Sequence, residues 1–129
     1  MKKLSILVFA AIAASVLMPE AAFAHHSMSM YDRDHVVALN ATIVTFDWTN
    51  PHLQIAFEGT DDKGNVQQWV AEGPGPSRLS SRGWSKESLK PGDHVVIYGN
   101  ANKDGSPTMR FVKIAFPDGH ELETGYAHY

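Results

Sequence analysis

Apolar and polar positions alternate along most of this chain with the two-residue period of β-strands, and the phase of that alternation predicts where each strand begins, bends and stops. From His35 to Trp48, "HVVALNATIVTFDW" places Val37, Leu39, Ala41 and Ile43 on one face. The phase then moves to Val44, Phe46 and Trp48, which predicts a bulge or coil in a long first strand that curves around a small barrel. "TNP" ends it, because Pro51 lacks a donor and biases Asn50 away from helix. "HLQIAFE" turns Leu53, Ile55 and Phe57 inward, "TDDKGN" supplies turn chemistry, and "VQQWVAE" completes a hairpin.

"GPGPSRLSSRGW" breaks the alternation. Pro76 suits the start of a short helix, Gly83 its end, and Leu79 its apolar contact, so this segment is expected to cap one mouth of the barrel. "SLKPGD" turns the chain into "HVVIYGNA", and "NKDGSP" leads to "TMRFVKIAF" as a second hairpin, followed by the turn "PDGHEL". Three strands, one short helix and two strands are the order of a small OB-like barrel, five strands closed in a Greek key with the helix between strands 3 and 4. The tail from residue 123, "ETGYAHY", has little to bury and is expected to be loose.

The start of the chain follows a different rule. Lys2 and Lys3 precede an apolar stretch from Leu4 to Met18, and Ala22-Phe23-Ala24 has the small-residue pattern of a cleavage site, so residues 1–24 read as a secretory signal peptide. The stretch is shorter than the roughly 20 residues needed to span a bilayer, and no later segment is long enough. With no cysteine to acylate, a lipoprotein is ruled out, and the expected address is the periplasm. Removing 24 of 129 residues leaves 105, room for one domain, 25–129, with residues 25–34 as an N-terminal arm.

Composition narrows the chemistry. The whole chain carries 11 basic and 14 acidic residues; losing Lys2, Lys3 and Glu20 leaves nine and thirteen, a formal charge of −4. Nucleic-acid binding requires clustered Lys and Arg and is not expected. Without cysteine the domain has neither disulfides nor thiolate ligands, and packing must hold it.

Cleavage after Ala24 would make His25 the first residue, followed by His26. A terminal histidine chelates through its amine and its Nδ1, and a further imidazole completes a T-shaped set of nitrogens that suits Cu(II) better than Mg or Ca. His26 is strained as that third donor; His52, just after the Pro51 turn, is the more natural one. Asp32, Asp34 or Asp47 are candidate weak oxygen ligands. Copper or a similar ion at His25, His26 and His52 is thus one expectation. An unliganded histidine tail, with His52 bonded to its own turn, is the other. His35, His94, His120 and His128 are expected on the surface.

A second class of function uses aromatic residues. Trp48, Asn50, Trp69 and Trp84 are candidates to line a shallow mouth for a small molecule or an envelope partner, although packing of the rings and a turn bond for Asn50 serve equally. A third is a non-catalytic accessory protein with no ligand of its own. Catalysis has little support: Ser27 and Ser29 lie in an arm with nothing to orient a base, no spacing rule singles out Glu72 with Asp47, and "GPGPS" lacks the lysine of a phosphate loop.

The motifs "AHHS", "MYD", "DWTNPH", "GPGPSRLSSRGWSKESLKPGD", "KDGSP" and "PDG" together resemble domain of unknown function family 6152, small exported bacterial proteins, from about Ala24 to Leu122. "WTNPH" and "RGWSKESLKPGD" are the most specific parts. The resemblance implies an exported single-domain β-barrel and assigns no reaction. Its members usually carry an aromatic where this chain has Met28; Met28 and Met30 therefore replace something bulkier, pack adaptably, or add thioethers suited to Cu(I).

Overall fold

Alternation becomes curvature at one residue of the first strand. In the computed structural model, which describes residues 29–126, β1 (Val37–Asp47) pairs with β2 (His52–Thr60) as Ile43↔Phe57 and then Thr45↔Ala56. Val44 is the extra residue, and it faces solvent at 46% exposure. Beyond it Phe46 and Trp48 turn back to pack against the core, as the phase change requires. The expected inward position of Val44 is the one detail to correct: a bulge sets its own residue outside the ladder.

β2 continues through an antiparallel hairpin into β3 (Val66–Pro74). Then come α1 (Pro76–Leu79), a 3₁₀ turn (Ser80–Arg82), β4 (His94–Ala101), β5 (Thr108–Ala115) and a three-residue β6 (Glu121–Glu123). The sheet order is β3-β2-β1-β4-β5-β6, and a parallel pairing of β3 with β5 closes five strands into a barrel. Closure with a helix after the third strand is the OB-type arrangement. Pro76 opens α1, and Gly83 ends the following turn with φ 88°, a conformation that favours glycine. Leu79 is fully buried, so the helical segment plugs the barrel as expected.

The core is the inward set of each strand: Leu39, Ala41 and Ile43; Leu53, Ile55 and Phe57; Ala71; Val95 and Ile97; Met109, Phe111 and Ile114. A second bulge shapes the far side. Tyr98 pairs with Lys113 and Gly99 with Phe111, so Val112 is extra and its carbonyl is free to accept from the N–H and hydroxyl of Thr124, at 3.0 and 3.2 Å. That anchor ties down the start of the expected loose tail: Glu123 ends β6 and Thr124 is buried.

The β2–β3 turn is built on Asp61, whose carboxylate accepts from the Asn65 side chain (3.0 Å) and from the backbone N–H groups of Lys63 and Asn65 (both 2.9 Å). The Asn65 bonds come first among the causes that hold its pKa below the ordinary 3.8. A depressed folded-state value means the carboxylate stabilises above the unfolded value and ceases to as pH falls through the folded one. Acid should therefore weaken the fold below about pH 4. Urea unfolding at pH 6 and pH 3 is expected to show a smaller loss in Asp61→Asn than in the parent; equal losses would remove Asp61 from the acid response.

Candidate functional site

The outer surface of the β2–β3–β5 seam gathers the chemistry. His52 starts β2 opposite Pro74; because Leu53 points inward, His52 points out, its side chain 58% exposed. Its Nδ1 stands 3.5 Å from Oε1 of Glu72, two residues along the partner strand on the same face. His52 is therefore paired across the hairpin rather than to its own turn. Glu72 in turn is in register with Gln54 on one side and Arg110 of β5 on the other.

The segment preceding β1 reaches this seam. Met30 accepts from the N–H of Lys103 (2.8 Å), Tyr31 bridges to Asn102, and Asp32 donates to Ala101 (2.9 Å), so residues 30–32 run along the β4–β5 turn. Tyr31 is buried, and burial first, then the nearby Glu72 carboxylate, raises its phenol above the usual range. Backbone bonds thus anchor the arm at the β4–β5 turn, with the Tyr31 phenol within the electrostatic reach of Glu72.

From the tail side, Tyr126 lays its ring 3.5 Å from the Arg110 guanidinium. Arg110 is only 9% exposed, and its Nε is buried without a hydrogen-bond partner. A cation–π contact contributes roughly 0.5–2 kcal/mol. That does no more than match the roughly 1–3 kcal/mol that a buried unsatisfied donor costs.

The other candidate residues are placed as follows. Asn50 accepts at Oδ1 from the N–H of Ser77 (3.2 Å), tying the β1–β2 turn to α1 instead of bonding its own turn; the Asn50–Pro51 peptide is cis. Trp84 is a core residue at 3% exposure, packed on Phe111 with its Nε1 donating to Glu123 (2.9 Å). Half-buried Trp69 stacks on Phe57, and half-buried Trp48 leans on Phe46. Each tryptophan has a separate phenylalanine partner, and among the described residues no ring contact joins one tryptophan to another. An open groove of about 320 Å³ lies elsewhere, along Asn40, Thr42, Thr60, His94, Val96 and Phe116.

His25, His26, Met28 and His128 lie outside the described residues. Asp32 bonds to His35, His94 to Thr42 and His120 to Asp118, each at the surface. Asp47 and Glu72 lie on strands two apart, each in register with Gln54. Among the described residues no three His, Asp or Glu side chains come together as a metal site, so one at His52 needs donors from the arm. No described helix is long and apolar enough to cross a membrane. Sequence reasoning missed the part played by Tyr31, Arg110 and Tyr126. Only "MYD" near an arginine-bearing strand hinted at it.

A closed OB-type barrel with an arm and a tail laid against its β3–β5 seam defines a small single-domain β-barrel protein. The chain belongs to the family of unknown function DUF6152, whose model matches residues 13–110. No curated protein and no solved structure matches it.

Proposed function

We propose that this is an exported, periplasmic binding protein whose processed chain takes copper or a similar transition ion through the amine and Nδ1 of His25, with His26 adjacent and His52 as the returning imidazole. The observation that carries this reading is the His52–Glu72 pair beside the docked arm. A carboxylate at one ring nitrogen of a histidine favours a proton there and leaves the other nitrogen's lone pair to a metal. Glu72 faces Nδ1, so Nε2 of His52 is the free donor. Five residue steps separate His26 from the anchored Tyr31, a reach of up to about 17 Å.

Glu72 joins the proposed set as the residue that orients His52. The aromatic-groove alternative has less support, because Trp84 is committed to the core and Asn50 to α1. Titration of Cu(II) into processed protein tests the metal reading. One ion should bind per chain, His52→Ala should weaken it about 100-fold and Glu72→Gln about 10-fold, in the range seen when ligands or their orienting partners are removed. Parent affinity in His52→Ala would remove His52 from the site and leave the arm acting alone.

A further inference from the structure

We propose that Arg110, with Arg33 and the hydroxyls of Tyr31 and Tyr126, receives a small oxyanion of the carboxylate or phosphate class on the outer face of the β3–β5 seam. This site is separate from the proposed metal site and does not depend on it.

The case starts from a cation with no counter-charge among the described residues. Arg110 is nine-tenths buried, yet none of the ion pairs among the described residues includes an arginine. This happens in a chain with more acidic than basic residues, so carboxylates are not scarce. Glu72, in register with Arg110, is the obvious partner, but its carboxylate is turned to His52. Arg110 keeps a buried Nε with no acceptor.

The surroundings suit an anion. Burial lowers the basicity of Arg110, Tyr126 opposes that, and Arg33 lowers it further, which places a second cation close by. Two like charges close together are mutually unfavourable, and an oxyanion would relieve both. Tyr126 covers a face of the guanidinium and hydrogen-bonds to it, while Nε is left without an acceptor; a guanidinium grips carboxylate or phosphate oxygens through such N–H groups. Tyr31 and Tyr126 add hydroxyl donors at the same place. If Arg110 only pinned the tail, its ring contact would suffice and the buried donor would gain nothing.

The test uses metal-free protein, with inorganic phosphate and malonate titrated separately against chloride at constant ionic strength. The Nε–Hε resonance of Arg110 is followed by NMR in the parent and Arg33→Gln, and the backbone amide resonance of position 110 in all three proteins. Saturable movement with one site per chain is expected. Arg110→Lys, which keeps the charge but loses the fork, should weaken binding at least about tenfold, the loss expected when a charged hydrogen bond is removed. Arg33→Gln, at an exposed position, should weaken it about threefold with the remaining spectrum unchanged. Response to phosphate alone assigns a phosphoryl ligand, and response to malonate alone a carboxylate; both support the site. A linear drift matching that of chloride, or parent affinity in Arg33→Gln and Arg110→Lys, would overturn it. Should Arg110→Lys fail to fold, the parent titration and Arg33→Gln decide.

Discussion

Acetylation of the His25 amine is expected to lower Cu(II) affinity by two to three orders of magnitude, or about 3–4 kcal/mol. The proposed chelate closes through the terminal amine and the Nδ1 of the same residue. Acetylation turns that amine into an amide, which no longer offers copper a basic lone pair and leaves no other amine at the terminus. What remains is imidazoles without the ring that joined two donors on one residue. The amine of the processed chain also titrates near pH 7.7–8.0, so its affinity should rise with pH up to about 8 and level off above. The acetylated chain should lack that segment of the profile. Competition titrations at pH 6, 7 and 8 on both proteins measure the two effects together, and equal affinities would dismiss the amine as a ligand.

The second large effect lies in the core. Phe111 is fully buried against Trp84, and Gly73 sits so close that a Cβ there would lie 2.3 Å from Cε1 of the ring. Phe111→Ala should cost about 3–5 kcal/mol, the range for emptying a buried aromatic site. Gly73→Ala should cost about 1–3 kcal/mol, because neither the strand nor the ring has room to yield. The pair should not be additive. With the ring gone the new methyl enters space instead of a collision, so the double variant should be little worse than Phe111→Ala alone. Urea unfolding of the four proteins closes the cycle; simple additivity would mean that the strand, not the ring, limits position 73.

Much of the barrel was legible because its signal is local. Leu53, Ile55 and Phe57 alternate within one strand, and the phase slip after Ile43 announces the bulge before any partner is known. Pro76, Leu79 and Gly83 mark the helical plug in the same way. Family membership was legible as well, through "WTNPH" and "RGWSKESLKPGD".

The seam was less legible because its contacts are distant in the chain. "ELE" has no apolar alternation, so β6 gives no strand signal, and Thr124 is held by a carbonyl that only the Val112 bulge sets free. Arg110 reads as an ordinary outward residue of an alternating strand; what buries it arrives from Tyr126, sixteen residues later, and from the arm. Trp84 stands in a segment with no period, and nothing local distinguishes a core tryptophan from one at a barrel mouth. His52 could be singled out by its place after Pro51, whereas its partner Glu72 depended on the hairpin register.

The most direct measurement is a crystal structure of the processed protein loaded with copper, with the metal located by its anomalous scattering. The expected result is one ion about 2 Å from the α-amine and Nδ1 of His25 and from Nε2 of His52, a normal metal–nitrogen distance. A copper ion bound without His52, or a chain whose first residue is not His25, would contradict the account.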